Sequence, residues 1–168
     1  MSEKTGPPLS RRIQAKVMRI VNVPMRLILR LPFSTPLGKR LMLVYLKGRK
    51  TGKEYKQPMS YVLDDDRLLT PGGGKWKLNL VEGRPEHVRL RGRDVSLSPE
   101  LVRDPTEVER LLGVMSTKNR MVERFSGLHK GPNGHYDRAK LDLMLEHGFC
   151  IVRWRPEDQA ARETLNIR

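Results

Sequence analysis

Two short loops carry residue types that can hold an anion and a flat ring. The residues of the first loop are Gly48, Arg49, Lys50, Thr51, Gly52 and Lys53. Glycine allows a tight turn that exposes backbone N–H groups, and the neighbouring cations add full charges, so this basic turn is suited to bind phosphate. An ordinary hairpin turn in solvent explains the same loop equally well.

The second loop is a glycine ribbon at 72–74. Its candidate ligand-binding residues are Thr70, Gly72, Gly73, Gly74, Lys75, Trp76 and Asn79. Consecutive glycines stabilise neither a helix nor a strand, but they let a ligand approach the backbone closely. Trp76 can form a wall for a ring, and residues 75–80 predict one or two helical turns whose N-terminus faces the ligand. The alternative is a flexible linker before a core tryptophan. We expect the two loops to converge on one anionic, ring-bearing molecule.

The composition favours a single domain without a metal or a disulfide. The chain has 168 residues, and we assign residues 10–155 to one domain, with a disordered tail at 1–9 and a polar tail at 156–168. Cys150 is the sole cysteine, so no intrachain disulfide can form, and no cysteine or histidine spacing resembles a zinc site. No apolar run reaches the length of a membrane span, and we expect a cytoplasmic protein.

The positive charge is concentrated near one end of the sequence. Residues 1–56 contain fourteen Lys and Arg against two acidic residues, whereas the rest of the chain is nearly balanced, within a net charge of +14. This asymmetry indicates an anionic ligand or an anionic surface close to the N-terminal part.

A basic amphipathic helix is predicted within residues 10–31. Its apolar positions share one sector of a helical wheel and its arginines and lysines share another, with Ser10 as the N-cap and a kink at Pro24. The simplest interpretation places the apolar face on the core and the basic face in solvent. Peripheral contact with an anionic membrane is the alternative. The absence of aromatic residues disfavours nucleic acid as the partner.

The remaining pattern predicts a small barrel of the α+β class, with about six mostly antiparallel strands joined by short turns. Asp104 and Pro105 begin a helix that ends near Met115, and Asp137 begins another that stops at Gly148. A further helical piece is expected at about 119–128. A last strand at 149–154 then returns to the sheet.

The two loops together resemble the deazaflavin-dependent nitroreductase family. The matching stretches are Leu43 to Lys53, then Pro58, then Gly72-Gly73 and Trp76 to Leu80. The resemblance implies a split β-barrel that binds reduced coenzyme F420, a deazaflavin with a phosphate and a polyglutamate tail, in preference to flavin mononucleotide (FMN). It places the phosphate at Arg49 to Gly52, the ring along Thr70 to Gly73, and Trp76 and Asn79 at the cofactor site.

This sequence departs from the family pattern at specific positions. Members often carry an arginine where Tyr55 stands and a lysine where Pro71 stands, and the loop before Trp76 is shorter here. Lys53, Lys56 and Lys75 are candidates to supply the missing charge. The substrate-side tyrosines that some members place near the C-terminus have no clear counterpart in this chain.

The resemblance implies an oxidoreductase that transfers hydride from the coenzyme to an electron-poor small molecule, such as a quinone or a nitro compound. Because the cofactor carries the chemistry, the protein positions the ring and excludes water. Thr70 or a nearby N–H could polarise the acceptor, and no catalytic acid is assigned. A split-barrel protein that binds a lipid or another planar ligand without turnover is the alternative, and a membrane or nucleic-acid adaptor is the third.

Overall fold

The computed structural model describes residue 36 and residues 38–119, 122, 130–131 and 133–166. The predicted disordered tail at 1–9 and the predicted amphipathic helix within 10–31 lie outside the described residues. Most of the predicted helical piece at 119–128 also lies outside them.

The described residues form an antiparallel sheet, three α-helices and a 3-10 helix. The strands are β1 (Leu41–Lys47), β2 (Glu54–Ser60), β3 (Val62–Asp64), β4 (Arg67–Pro71), β5 (Glu86–Leu90), β6 (Arg93–Val102) and β7 (Ile151–Pro156). The helices are α1 (Pro105–Lys118), α2 (Arg138–Glu146) and α3 (Gln159–Asn166), and the 3-10 helix is Trp76–Asn79. The prediction of an α+β split-barrel-like fold is confirmed, with seven strands in the sheet where about six were expected.

The strand order explains why the sheet must curl. The order is β2-β1-β5-β6-β7-β4-β3, so β2 and β3 occupy opposite edges. Yet these two strands are consecutive in the sequence, and Tyr61 alone separates them. A flat sheet of seven strands would hold its edges roughly 29 Å apart, because neighbouring strands lie about 4.8 Å apart. One residue cannot cross that distance. The edges therefore approach each other, and the sheet becomes a half-barrel.

Alternation along the strands divides the buried side chains between two cores on opposite faces of the sheet. On β4, Leu68 belongs to the first core and Leu69 to the second, and on β7 Val152 and Ile151 divide in the same way. The first core includes Trp154 and is completed by α3. The second core lies between the other face of the sheet and helices α1 and α2.

The predicted caps of α1 and α2 are present. The carboxylate of Asp104 accepts a hydrogen bond from the Glu107 backbone N–H at 2.8 Å, and Asp137 accepts one from the Lys140 N–H at 3.2 Å. Side-chain caps of this kind satisfy N–H groups that the first helical turn leaves without partners. Helix α1 continues to Lys118, one turn beyond the predicted end. Gly148 follows α2 with a φ of 81°, a conformation that favours glycine and ends the helix.

The C-terminal segment differs from the polar tail predicted at 156–168, because it contains α3. Asp158 caps this helix by accepting from the Ala161 N–H at 2.6 Å. The side chains of Ala161 and Leu165 are buried in the first core. Two apolar residues spaced four apart in an otherwise polar segment are a weak helical signal, so the sequence alone did not reveal this helix.

Arg91 joins α3 to the curled end of the sheet. Its guanidinium donates to the Tyr61 hydroxyl at 3.2 Å and to the Thr164 carbonyl at 3.1 Å. The Tyr61 hydroxyl in turn donates to the Gly38 carbonyl at 3.0 Å. Burial raises the pKa of Tyr61, and the guanidinium partly opposes that shift. The bond to Thr164 uses one of the last four carbonyls of α3, which have no partner within the helix.

Glu107 connects α1 to the sheet through Arg153 and also pairs with Arg110 within α1. Its carboxylate accepts from Arg110 at 2.7 and 2.9 Å and from Arg153 of β7 at 2.5 Å. The hydrogen bond from Arg110 is the main cause that lowers the pKa of Glu107 from 4.5 to about 2. Because the folded pKa lies below the unfolded value, this carboxylate stabilises the fold above pH 4.5 and loses its contribution as the pH falls towards 2.

We expect Glu107→Gln to lower the free energy of unfolding at neutral pH and to flatten its decline in acid. Urea denaturation at pH 7 and at about pH 3 measures both effects, since the variant has no carboxylate to protonate there. Glu146→Gln, at an exposed position at the end of α2, is the matched control and should retain the wild-type pH dependence. Equal acid sensitivity in Glu107→Gln and the wild type would contradict this assignment.

Candidate functional site

The basic turn between β1 and β2 is held in shape mainly by its own backbone. Gly48 donates to the Lys53 carbonyl at 2.9 Å, and Gly52, with a φ of 66°, donates to the Gly48 carbonyl at 2.7 Å. Lys53 donates its N–H to the Thr51 hydroxyl at 3.3 Å. Within the part of the chain that the structure describes, the N–H groups of Lys50 and Thr51 have no hydrogen-bond partner. The turn therefore exposes free N–H groups at its tip, and the N–H groups on either side of the tip bind within the protein.

Asn79 binds the basic turn to the segment that follows the glycine ribbon. Its carboxamide oxygen accepts from the Arg49 N–H at 3.0 Å. Its amide nitrogen donates to the Trp76 carbonyl at 3.1 Å and also to the Tyr55 hydroxyl. The two loops are therefore adjacent, as predicted, although thirty positions separate Arg49 from Asn79. The same bonds show that the Asn79 side chain already has protein partners.

The three glycines of the ribbon have different surroundings. Gly72 donates to the Cys150 carbonyl at 2.7 Å, and a Cβ at this position would lie 2.5 Å from the Cys150 Sγ. Gly73 is exposed, and a Cβ there would meet no atom within 4 Å. Gly74 has a φ of 79°, which favours glycine whatever the space around it. Packing therefore explains glycine at 72, and backbone conformation explains glycine at 74. Neither explains glycine at 73, where the backbone is open to solvent.

Lys77, within the 3-10 helix, holds the ribbon through two hydrogen bonds. Its ammonium group donates to the Gly72 carbonyl at 2.6 Å and to the Gly74 carbonyl at 2.9 Å. These bonds turn two carbonyls of the ribbon towards Lys77. Residues 76–79 form a single 3-10 turn, which is shorter than the one or two helical turns expected at 75–80. A turn of this length supplies only a small dipole, so charge at the site comes from side chains.

Thr70 does not reach the ligand side of the ribbon. Its side chain is completely buried in the first core, and its hydroxyl accepts from the Trp154 indole N–H at 3.0 Å. Its backbone pairs with Val152 in the sheet. The prediction that Thr70 contacts the ring or polarises an acceptor is therefore not supported by its position. A buried indole N–H needs an acceptor, and Thr70 fills that structural requirement.

Trp76 and Lys75 lie at the end of the glycine ribbon, one half-buried and the other exposed. Trp76 is half-buried, packs against the first core, and places its ring edge near Gly74, where an added Cβ would lie 3.7 Å from the indole Cδ1. Lys75 is exposed and forms no salt bridge within the described residues. The same holds for Arg49, Lys50 and Lys53. This surface therefore combines a half-buried aromatic ring with cations that form no salt bridge among the described residues.

Tyr55 is a site residue that sequence reasoning treated only as a departure from the family. Its hydroxyl accepts from Asn79, and burial raises its pKa, while the bond from Asn79 opposes the shift. Its register opposite Leu46 on β1 places it at the base of the basic turn. The signal available in the sequence was its position directly after the turn, on a predicted strand.

A cleft of about 470 Å³ lies beside the base of the hairpin, and Tyr55 forms part of its wall. The other lining residues are Tyr45, Leu46, Lys47, Glu54, Lys56, Glu86 and His87. The Tyr45 and His87 rings lie 4.7 Å apart, and the Lys56 ammonium lies 4.5 Å from the centre of the Tyr45 ring. Lys56, considered as a substitute charge for the site, thus faces the aromatic wall of this cleft.

Arg89 and Arg91 are cations on β5 and at the turn between β5 and β6, respectively. Arg89 forms an ion pair with Asp94, and Arg91 binds Tyr61 and the end of α3. Both arginines therefore have structural partners. Among the described residues, no group of three His, Cys, Asp or Glu side chains is arranged to hold a metal ion. Within the same residues, no helix has the length and apolar character that crossing a membrane requires.

Comparisons with known proteins give little further information. No family model matches the sequence, and no curated protein matches it. One similar solved structure is described as an FAD-binding protein from Mesorhizobium loti. The two proteins share 13% sequence identity, and the superposed region covers 71% of this chain and 82% of the other, with a TM-score of 0.41. FAD binding is a property of that protein, and similarity at this level carries no argument about the ligand of this chain.

The different surroundings of the glycines lead to a matched pair of variants. We expect Gly72→Ala to reduce the free energy of unfolding by about 2 kcal/mol or more, because its methyl group would collide with Cys150. Gly73→Ala should change stability by less than about 1 kcal/mol, since its methyl group enters open space. Urea denaturation of both variants measures the difference. Similar losses in the two proteins would show that the ribbon is packed differently.

Proposed function

We propose that the basic turn and the glycine ribbon bind a reduced deazaflavin of the coenzyme F420 type, and that the protein is an oxidoreductase that delivers hydride from it to an electron-poor small molecule. A quinone or a nitro compound is the acceptor class. The observation that supports this proposal is the hydrogen bond from the Arg49 N–H to Asn79, because it brings the anion-binding loop beside the ribbon.

The tip of the basic turn has the groups that a phosphate requires. Lys50 and Thr51 offer N–H groups without recorded partners among the described residues, and Lys50 adds a cation. Charge-assisted hydrogen bonds to phosphate are about twice as strong as neutral ones. Lys53 follows the turn and Lys75 follows the ribbon, and both are exposed cations suited to carboxylates of an acidic tail. These residues fit the anionic groups of the coenzyme.

The ribbon offers a surface for the ring. Gly73 exposes backbone with no side chain in front of it, and Trp76 stands close to Gly74. Lys77 fixes the carbonyls of Gly72 and Gly74, so the ribbon keeps one shape. A rigid backbone binds a planar molecule with less loss of conformational entropy than a flexible linker does. The structure thus favours a preformed ribbon over the linker that the sequence left open.

When bound, the reduced coenzyme supplies the hydride. The residues of this chain hold the phosphate at the turn, orient the ring on the ribbon and keep water from one of its faces. Asn79 and Tyr55 fix the distance between these two contacts through their mutual hydrogen bond. No side chain described at the site is assigned as an acid. The Thr70 hydroxyl accepts a hydrogen bond from the Trp154 indole.

We expect Lys50→Ala to weaken deazaflavin binding roughly tenfold, since an exposed phosphate contact contributes about 1–2 kcal/mol. Fluorescence titration of the purified protein measures the affinity, and a parallel titration with FMN tests the preference for the deazaflavin. Lys39→Ala removes the same charge at the opposite end of β1 and is the control. Unchanged affinity in Lys50→Ala, or an equal loss in Lys39→Ala, would remove the phosphate assignment.

Gly73→Ala tests the ring contact separately from the phosphate. We expect the variant to keep wild-type stability and to bind the deazaflavin several-fold more weakly, because the added methyl group occupies the space that the ring needs. Oxidation of the reduced coenzyme by a nitro compound or a quinone, followed by absorbance, then distinguishes an enzyme from a binding protein. Tight binding without oxidation would favour the non-catalytic alternative.

A further inference from the structure

The glycine ribbon and the basic turn adjoin an exposed apolar pair. Three large apolar side chains are exposed among the described residues, and two of them are Leu78, at 48%, and Val81, at 50%. Leu78 immediately precedes Asn79, which binds the basic turn. The third, Leu143, lies on α2. An apolar pair beside a cationic turn is not explained by the core, because neither side chain is buried there.

Five exposed cations lie on the two segments that the Arg49–Asn79 hydrogen bond joins. They are Lys47, Arg49, Lys50, Lys53 and Lys75. None of them forms a salt bridge within the part of the chain that the structure describes. The acidic side chains on the same segments are Glu54, which is exposed, and Glu82, which is paired with Arg103 at 2.9 Å. We call these five cations with Leu78 and Val81 the basic–apolar edge, and its net charge is strongly positive.

We infer that the basic–apolar edge docks on an anionic lipid bilayer. Juxtaposed cations are attracted to anionic headgroups by about 1 kcal/mol each near the surface, and exposed aliphatic side chains enter the interface beneath them. Both features occur on segments that the Arg49–Asn79 hydrogen bond holds together, and the five cations form no salt bridge within the described residues. The positive charge of the edge matches the negative charge of an anionic bilayer. Leu78 and Val81 are the side chains that would insert among the lipids.

Nucleic acid is the other polyanion that such charges attract, but the apolar residues disfavour it. Single strands bind through exposed aromatic side chains on which bases stack. The exposed apolar residues here are aliphatic, and the half-buried ring of Trp76 is the one aromatic side chain on residues 72–81, whereas successive bases need several such rings. The inference is also separate from membrane contact through residues 10–31, which stays a proposal. It shares Lys50, Lys53 and Lys75 with the proposed coenzyme site, so the experiments below use protein without added coenzyme.

A fluorescent probe locates the contact in the full-length chain. Leu78→Cys, Val81→Cys and Leu143→Cys are each labelled with an environment-sensitive dye, while the native Cys150 is buried and protected. We expect the emission from positions 78 and 81 to shift to shorter wavelength with vesicles of phosphatidylglycerol and phosphatidylcholine, and not with phosphatidylcholine alone. The label at 143 should not shift. Absence of a shift at 78 and 81 would overturn the inference, whatever membrane contact residues 10–31 make.

A second measurement compares unlabelled variants by sedimentation with the same vesicles. Leu78→Ser combined with Val81→Ser should reduce partitioning about tenfold, because two half-exposed aliphatic side chains lose their insertion. Leu143→Ser is the matched control and should partition like the wild type. Equal partitioning of the double variant and the wild type would overturn the inference, as would salt-sensitive binding to DNA with no binding to vesicles.

Discussion

The carboxamide of Asn79 is the interaction on which the candidate site depends. It accepts from the backbone of Arg49 and donates to the Tyr55 hydroxyl and to the Trp76 carbonyl, so one side chain joins three separate segments. Such a network is worth more than its separate bonds when every donor and acceptor has a partner. Without it, the hairpin turn and the glycine ribbon would be independent loops at the surface.

The curled sheet brings these segments within reach of each other. Since Tyr61 alone connects strands at opposite edges, the two edges must approach, and the loops at the end of β1 and after β4 share one end of the half-barrel. Helix α3 packs into the first core, and Arg91 hydrogen-bonds both to its last turn and to Tyr61. The position of the site is thus a consequence of the strand order.

The strands and helices could be predicted from sequence because they depend on local signals, whereas the meeting of the two loops was inferred from the matching ligand chemistry of their residues. Alternation, capping residues such as Asp104, and glycine punctuation fix strands and helices over short spans. The partners of individual side chains could not be predicted. Thr70 stands beside the ribbon in the sequence, but the alternation of β4 turns it towards Trp154, a residue from the far end of the chain. Tyr55 gains its role only through Asn79.

The same limit applies to charge. The sequence located the excess of lysine and arginine, yet it did not separate cations with partners from cations without them. Arg91 and Arg153 hold elements together, whereas the cations of the basic turn have no ion-pair partner among the described residues. Long-range contacts decide this difference, and they depend on a register that no short segment specifies.

The contact between Gly72 and Cys150 affects how related sequences should be read. The carbonyl oxygen of Cys150 leaves no room for a Cβ at position 72, whatever side chain stands at 150. Evolution would therefore retain glycine at 72 in every homologue that preserves this strand pairing, including homologues with no cofactor at all. Retention of glycine at 73, where the backbone faces open space, would instead be the mark of selection by a ligand.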